Sequence, residues 1–379
     1  MVKEKVVFYG LSTEGYYLAR QMVINGADVQ IIDESSSSAI LLKPDIAKTY
    51  TDVRSLREDE PLLAMKPSNI AISKTKYLFF TPRIRKTGQD LKTEINSKFK
   101  DATGSMPEDS SIINCLPTGF GGNNENISLL KHVTGFEVGK SISYFYFPIN
   151  DVNKTPDVIG SLKKTDEKNL LSLLKSDKKE KKFVDISSAE YLHAIDTIQR
   201  FSSLCSILEV CKFIKSSAKN TSLFNDFKNL YLDNMITGLY DLRMLGSSFE
   251  SAQTLMYLIN GSIRGISSFI KRLIDTIRIT LKKNDLKASK TKIVLSWTLD
   301  TNEMRGDKIE ILNTIASKLR DYIGDVETST DISDLLHQDK VIIVVACSDY
   351  DYKKIQEIEK DQDIFVIKAN PLCKVEHKR

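Results

Sequence analysis

Histidine and cysteine are scarce in this sequence, and neither is spaced as a metal site or a disulfide framework requires. The four histidines stand apart from one another and from any pair of cysteines, so no metal site is expected. The five cysteines are odd in number, lack Cys-x-x-Cys spacing and mostly fall in apolar runs, as buried thiols do in reducing compartments. We therefore expect free thiols and a reducing environment.

The sequence also lacks a membrane segment and a dominant charge. No uncharged run approaches the ~20 residues of a membrane span, and residues 1–5 lead straight into an apolar run rather than a signal peptide. The 54 basic and 50 acidic residues are spread along all 379 positions and leave a formal charge of +4, which gives no concentrated field for nucleic acid. We expect a cytoplasmic protein that binds neither membranes nor nucleic acids.

A strand–turn–helix–strand pattern is present at the N-terminus. The apolar run of residues 5–9 meets Gly10, and Gly15 follows in the predicted helix, so the backbone can turn tightly and the helix N-terminus can face a pyrophosphate. Asp33 ends the next apolar run, where a dinucleotide site places the carboxylate that binds a ribose hydroxyl. A carboxylate there repels a 2′-phosphate, so NAD is expected over NADP. Ser12 replaces the usual middle glycine and crowds the approach to phosphate, which leaves a βαβ unit without a ligand as the alternative.

The remaining pattern divides the chain into three parts, as its length suggests, because 379 residues exceed what one core usually serves. In the N-terminal part strands alternate with helices, with a short helix after the polar residues 35–38 and a strand at 143–147 that closes a parallel sheet. We predict a Rossmann-type domain with a parallel sheet over 1–185, an all-helical domain over 186–288 and a smaller Rossmann-like α/β domain over 289–379.

The helical middle part distributes its apolar residues over more than one helix face. In residues 224–281 they recur at helical spacing on two sides, and such a helix usually meets a second surface. Gly261 and Gly265 have the spacing that permits close helix contact. We predict that these helices form the interface of a homodimer, in which Ile263 and Ile270 take part.

Short motifs along nearly the whole chain resemble those of the UDP-glucose/GDP-mannose dehydrogenase family. The segments similar to the family's E-P-G-L, T-P-x(n)-D-L, S-T-V-P-x-G, A-E and K-x-x-T-D-D-x-R motifs are Glu60-Pro61-Leu62-Leu63, Thr81-Pro82 with Asp90-Leu91, Asn114-Cys115-Leu116-Pro117-Thr118-Gly119, Ala189-Glu190 and Asp300-Thr301-Asn302-Glu303-Met304-Arg305. The resemblance implies the three-part fold, a homodimer, NAD as the cofactor and a nucleotide-sugar as the ligand. It also implies that Arg305 binds the substrate and that the cofactor lies against Gly10, Ser12, Gly15, Asp33, Thr81, Pro82 and Cys115.

The residues that carry the family's oxidation are mostly replaced. Its enzymes oxidise a primary alcohol to an acid by two hydride transfers to NAD, with a cysteine thiolate that captures the aldehyde. The position of this cysteine falls on Thr237, and only Asp241 of the surrounding motif persists. The family's lysine and asparagine fall on His193 and Thr197, and its glutamate falls on Ile149. A threonine hydroxyl is far less ionised than a thiol, so it needs a base beside it.

Three functions follow from this combination. The first hypothesis is a divergent relative that still binds a dinucleotide or nucleotide-sugar but lacks the two-step oxidation, with a binding or regulatory role. The second is an active NAD-dependent dehydrogenase of a UDP-sugar, a GDP-sugar or a related alcohol that recruits His193, Thr237 or Asp241 as catalytic residues. The third is a structural interaction protein that has kept the fold and lost its ligands. Fold alone does not separate them.

Overall fold

The computed structural model describes residues 4–58, 65–150, 155–163, 167–175, 181–214, 225–248, 254–330, 340–357 and 364–378. The chain divides into two compact units. Unit 1 consists of Met1–Asp196, Met244–Glu250 and Asp300–Gly306, and unit 2 consists of Thr197–Arg243, Ser251–Leu299 and Asp307–Arg379. Unit 1 is therefore completed by two short segments from late in the sequence.

Unit 1 is built on a sheet whose central strands are parallel. Its described strands are β1 (Lys5–Tyr9), β2 (Asp28–Asp33), β3 (Ser38–Leu42), β4 (Met65–Pro67), β5 (Tyr77–Phe80), β6 (Ser111–Asn114), β7 (Ser143–Tyr146), β8 (Val158–Ser161) and β9 (Lys182–Asp185). They lie in the order β4-β3-β2-β1-β5-β6-β7-β8-β9, and β2, β1, β5, β6 and β7 pair in parallel. The chain moves outward from β1 in one direction and returns to β5 on its other side, so the sheet has a switch point between β1 and β5.

Helices connect the strands of unit 1. They are α1 (Thr13–Ile24), α2 (Pro44–Thr49), α3 (Val53–Glu58), α4 (Ser68–Ile72), α5 (Asp90–Thr103), α6 (Gly122–Thr134) and α7 (Lys168–Leu173). A further helix, α8 (Ile186–Val210), begins in unit 1 and continues into unit 2. Parallel strands that are buried on both faces have continuous apolar sequences, and every residue of β5 is buried. Phe8 and Phe79 stack at 4.7 Å between ring centroids, so the centre of the sheet is also the core of the unit.

The larger sheet extends beyond the strands that the sequence predicted. The short helix predicted after residues 35–38 is α2, but strand β3 precedes it, pairs with β2 and buries Ile40 and Leu42. Strand β7 does not close the sheet, since β8 pairs antiparallel with it and β9 pairs with β8. Strands of four or five residues are too short for their apolar period to be distinguished from that of a helix.

Several helices of unit 2 precede its sheet in the sequence. They are α9 (Asn225–Lys228), α10 (Leu232–Ile236), α11 (Leu239–Ser247, which ends in unit 1) and α12 (Thr254–Lys283). Helix α8 packs against α12 at Gly265, where a Cβ atom would lie 2.5 Å from Cys205 Sγ. Cys205 Sγ also donates to the carbonyl oxygen of Gly261 at 3.5 Å. The Gly-x-x-x-Gly pair thus serves a helix contact within the chain.

Unit 2 contains the second, smaller sheet. Its described strands are β10 (Thr291–Ser296), β11 (Val326–Thr328), β12 (Val341–Ala346), β13 (Ile364–Lys368) and β14 (Val375–Lys378), in the order β11-β10-β12-β13-β14. All pair in parallel except β14, which is antiparallel to β13. Helix α13 (Asp307–Arg320) connects β10 with β11, and α14 (Asp349–Glu357) connects β12 with β13.

The predicted fold class is confirmed, with a Rossmann-type sheet of parallel centre, a helical stretch and a smaller Rossmann-like sheet. The domain boundaries at 185/186 and 288/289 stay a prediction. Within the described ranges, no helix is long and apolar enough to cross a membrane.

Candidate functional site

The switch point of the unit 1 sheet brings together most of the residues that the resemblance assigns to the cofactor. Gly10 follows β1 with a φ of +112°, which favours glycine. A Cβ atom on Gly10 would lie 2.2 Å from the carbonyl oxygen of Thr81 and 2.7 Å from Cα of Pro82. The turn after β1 and the loop after β5 therefore touch at the edge of the sheet where this fold places its ligands.

The turn leads into α1, whose first residues are held by protein groups. Ser12 is the N-cap, and its Oγ accepts a hydrogen bond from the Gly15 amide at 3.2 Å. Gly15 packs closely on Thr81, because a Cβ atom on Gly15 would lie 2.4 Å from Thr81 Oγ1. Both Ser12 and Thr81 are fully buried. The Ser12 hydroxyl thus accepts a hydrogen bond from one of the amides that the sequence predicts to bind phosphate.

A segment from late in the sequence lies across this turn. Residues 300–306, here called the strap, belong to unit 1. The Thr13 amide donates to the carbonyl oxygen of Asn302 at 2.9 Å, and Thr13 Oγ1 donates to Asp300 Oδ2 at 2.5 Å. The first amide of α1 is therefore bonded to the chain itself, although a dinucleotide turn presents such amides to a phosphate.

Glu14 and Arg305 form a buried ion pair between α1 and the strap. Glu14 Oε2 accepts from the Met304 amide at 2.8 Å, and Glu14 Oε1 lies 3.5 Å from Arg305 Nη1. Arg305 also donates to the carbonyl oxygen of Ile149 and, at 3.2 Å, to Asn150 Oδ1. Burial raises the pKa of Glu14, against the lowering effects of Arg305 and the Met304 amide. Glu14 thus lies at the end of α1 where a phosphate would bind, and its carboxyl group is held there by the Met304 amide and Arg305.

Asp33, the predicted ribose-binding carboxylate, already accepts from several protein donors. Arg83 Nη2 donates to its Oδ1 and Arg57 Nη2 to its Oδ2, both at 2.8 Å. The amide and hydroxyl of Ser35 also donate to Oδ1. Burial raises the pKa of Asp33, but the Ser35 hydrogen bonds and the two guanidinium charges outweigh it, so the pKa lies below its usual value. A ribose hydroxyl would have to replace one of these donors.

A cavity of about 510 Å³ lies beside Asp33 at the carboxyl ends of β1 and β2. The charged side chains that line it are Arg83, Arg85, Lys86, Lys98, Glu34, Glu94 and Asp101. Glu34 pairs with Arg83 at 3.1 Å and with Lys98 at 3.0 Å. Because Glu34 and Glu94 pair with cations of the lining, the cavity presents a mixed polar surface rather than a strong anion site.

Cys115, assigned to the cofactor by resemblance, lies in the core of unit 1 after β6. Its amide donates to the carbonyl oxygen of Phe80 at 3.1 Å. Burial raises the pKa of the thiol well above its usual value. Since the thiolate is the reactive form, the environment of Cys115 favours packing over nucleophilic chemistry.

Thr237 and Asp241, two of the predicted catalytic residues, lie in unit 2, with Thr237 as the C-cap of α10 and Asp241 in the first turn of α11. Thr237 Oγ1 donates to the carbonyl oxygen of Asp233 at 3.0 Å. Arg200 donates to the carbonyl oxygen of Thr237 at 2.6 Å. Between them Gly238 adopts a φ of +75°, and a Cβ atom there would lie 3.7 Å from Asp241 Oδ2. The Thr237 hydroxyl proton is therefore directed at the main chain.

The other positions of the predicted oxidation lie elsewhere. His193, the third predicted catalytic residue, is half-buried in unit 1 with Nδ1 3.5 Å from Asn150 Nδ2. Ile149, where the family has a glutamate, is only 1% exposed and belongs to the core of unit 1. Thr197, where the family has an asparagine, is buried. An apolar side chain, that of Ile149, thus stands at the sequence position where the family has its acid/base carboxylate.

Glu14, Arg57 and Arg83 are the site residues that the sequence did not single out. An acidic residue in the first turn of a helix expected to face phosphate is the signal that identifies Glu14. The Glu60–Leu63 motif lies outside the described residues. Among the residues that are described, no cluster of three His, Cys, Asp or Glu side chains could hold a metal ion.

The turn does not fit a dinucleotide in this arrangement. A pyrophosphate needs free amides and no nearby negative charge at the helix N-terminus. The Thr13 and Gly15 amides have protein acceptors, and the Glu14 carboxylate lies at the same end of α1.

The fold is shared with solved nucleotide-sugar dehydrogenases, although no family model and no curated protein match the sequence. A UDP-D-ManNAc dehydrogenase from Pyrococcus horikoshii is similar over 91% of this chain and 89% of its own, with 15% identity and a TM-score of 0.66. A UDP-glucose dehydrogenase from Pyrobaculum islandicum is similar over 97% and 94%, with 13% identity and a TM-score of 0.67. A UDP-N-acetyl-mannosamine dehydrogenase from Staphylococcus aureus gives 13% identity and a TM-score of 0.58 over 90% and 88%. The chain therefore has the fold of the UDP-glucose/GDP-mannose dehydrogenase family, as its motifs predicted.

Proposed function

We propose that this protein is a non-oxidising relative of the nucleotide-sugar dehydrogenases, with a binding or regulatory role. The observation that carries the proposal is the hydrogen bond of Thr237. Its hydroxyl stands where the family has its cysteine, and it donates to the main-chain carbonyl of Asp233. A hydroxyl attacks a carbonyl carbon only when a base takes its proton, and an amide oxygen is not such a base.

Three further positions support the proposal. At these positions the core residue Ile149 replaces the family's glutamate, His193 replaces its lysine and the buried Thr197 replaces its asparagine. Residues that act as a unit lose function non-additively, so the first loss removes most of the rate and the later ones cost little more. The combined replacements therefore support an absence of oxidation more strongly than any one of them.

The proposed ligand class is a nucleotide-sugar or a dinucleotide. NAD is the cofactor that the resemblance implies at Gly10, Ser12, Gly15 and Asp33, and its binding there requires the Thr13 and Gly15 amides to be released from their protein acceptors. Arg305 is the residue that the resemblance assigns to the substrate. We also propose a homodimer in the cytoplasm. Five free thiols are compatible with a reducing compartment.

The first test is an oxidation assay. We expect the purified protein to form no reduced nicotinamide, measured by absorbance, from NAD and UDP-glucose, UDP-N-acetylhexosamines or GDP-mannose. Thr237→Cys alone should not restore activity, because the new thiolate would lack the cation and carboxylate that support it. Turnover above a no-enzyme control that is abolished by Asp241→Asn or His193→Ala would contradict the proposal and favour an active dehydrogenase.

A thermal-shift screen separates a binding role from a purely structural one. NAD, NADP and the same sugars are the ligands to compare. A ligand at about 100 times its dissociation constant stabilises the native state by about 2.7 kcal/mol, which is readily detected. Stabilisation by none of them would favour the structural alternative.

A further inference from the structure

The strap makes contacts that a dinucleotide would otherwise make, and this points to a regulatory role for it. We propose that residues 300–306 are a built-in inhibitory segment that must leave the turn before a dinucleotide can bind, and that Arg85 holds this segment in place. The inference rests on the proposed function in one respect, because it treats the turn after β1 as a dinucleotide site.

The strap and its neighbours satisfy the positive end of α1. The Asn302 carbonyl oxygen accepts from the Thr13 amide at 2.9 Å, and Ser12 Oγ accepts from the Gly15 amide at 3.2 Å. The Glu14 carboxyl group lies in the same turn and accepts from the Met304 amide. A pyrophosphate would have to displace the Asn302 carbonyl oxygen and the Ser12 hydroxyl from these amides, so the closed arrangement excludes it.

Arg85 donates several hydrogen bonds to the backbone of the strap. Its Nη2 donates to the carbonyl oxygens of Thr301 and Glu303, both at 2.7 Å, and its Nη1 donates to that of Met304 at 3.5 Å. The neighbouring Ile84 amide donates to Met304 at 2.7 Å. A single guanidinium thus holds three carbonyl oxygens of the strap, and its further hydrogen bond goes to the carbonyl oxygen of Ile84 rather than to the turn.

Glu14, on α1, also binds the strap. Its carboxylate is buried, and it accepts from the Met304 amide and pairs with Arg305 only while the strap is in place. Release of the strap would leave a buried carboxylate without these partners, which is unfavourable. The closed state is therefore favoured, and the apparent affinity for a dinucleotide falls in proportion to the small open fraction.

The test compares Arg85→Ala with Arg54→Ala in the full-length protein. Arg54 is exposed and pairs with Glu58 on the same helix, α3, so its variant controls for the loss of an arginine. Two quantities are measured: the dissociation constant of NAD by calorimetry, and hydrogen–deuterium exchange at the amides of Thr13 and Met304.

In the unmodified protein and in Arg54→Ala, both amides should be protected and NAD binding weak. Arg85→Ala should exchange faster at both amides and bind NAD about tenfold tighter or more. Glu14→Gln, which keeps the shape and weakens the pairing with Arg305 of the strap, should also bind NAD more tightly, and it decides the matter if Arg85→Ala fails to fold.

The inference is wrong if the strap amides exchange faster in Arg85→Ala while NAD affinity stays unchanged, or if Glu14→Gln leaves that affinity unchanged. It is also wrong if the unmodified protein binds NAD while both amides keep their protection. Neither measurement involves turnover, so these outcomes do not bear on the proposed lack of oxidation. Conversely, formation of reduced nicotinamide in the oxidation assay would contradict the proposed function without deciding whether the strap controls NAD binding.

Discussion

Arg83 neutralises two carboxylates of unit 1 at once. Its Nη2 pairs with Asp33 at 2.8 Å and its Nε with Glu34 at 3.1 Å, and its side chain is only 14% exposed. Removal of one partner from a buried pair leaves an uncompensated charge. We expect Arg83→Ala to lower the free energy of unfolding by about 3 kcal/mol, measured by denaturation followed by circular dichroism. The exposed Arg54→Ala is the matched control and should change it by less than about 0.5 kcal/mol; equal effects would show that the Arg83 pairs are screened by solvent.

The same side chain controls how stability depends on pH. The pKa of Asp33 is lowered in the folded protein, whereas an unfolded aspartate titrates near about 3.9. Its stabilising contribution is therefore fully present above about pH 4 and is lost as the pH falls through the lower folded value. In Arg83→Ala the folded pKa should rise toward the unfolded one, so the difference in unfolding free energy between variant and unmodified protein should shrink below about pH 5. A difference that stays constant down to pH 3 would contradict this assignment.

Single residues of the site were predictable only where a local signal marks them. Gly10, Gly15 and Asp33 lie within one βαβ unit, so their spacing identifies them. The partners of Glu14 lie 290 and 291 residues away in the sequence, and no periodicity connects positions so distant. The sequence therefore predicts a dinucleotide turn, and only the fold shows what fills it.

The contact between α8 and α12 depends on the absence of a side chain at Gly265. A Cβ atom there would lie 2.5 Å from Cys205 Sγ, closer than packed atoms allow. We expect Gly265→Ala to lower the free energy of unfolding by about 1–3 kcal/mol through overpacking. Denaturation followed by circular dichroism measures the change.

Gly261 on the same helix is the matched control. It is exposed, and a Cβ atom there would meet nothing within 4 Å. Alanine is the better helix former, so Gly261→Ala should raise the free energy of unfolding by about 0.5–1 kcal/mol. Opposite signs for the two glycines support the described helix contact, and a loss at Gly261 would contradict it.

Elements differ in how well the sequence predicts them. Strands β1, β5, β10 and β12 are continuous apolar runs bounded by turn residues, so they are recognisable without a structure. Strands β3, β8 and β9 are short, and tertiary pairing rather than local pattern decides their conformation. The missed elements therefore lie toward the edges of the larger sheet and the predicted ones at the centres of both.

The residues suited to a test of the predicted homodimer differ from those that the sequence suggested. Ile270 is only 5% exposed and packs within the chain, so a charge there would test folding rather than association. On α12 the exposed apolar residues include Tyr257 and Ile279, and their separation of about six helical turns puts them on one side of the helix.

We expect the unmodified protein to sediment as a dimer at micromolar concentration and Ile279→Glu to raise the dimer dissociation constant about tenfold or more, because a charge would be buried in the interface. Ile24→Glu is the control, since Ile24 is 62% exposed and Ile279 is 63% exposed. A monomeric unmodified protein in analytical ultracentrifugation, or equal weakening by both variants, would rule out this interface.

The late origin of the strap also affects the protein while it is being made. Glu14 leaves the ribosome 290 residues before Met304. At a synthesis rate of about 5–20 residues per second, this carboxylate waits roughly 15–60 s for its amide and guanidinium partners. During that interval the nascent N-terminal sheet carries an open helix end, and a dinucleotide present in the cell would meet the turn before the chain's own segment does.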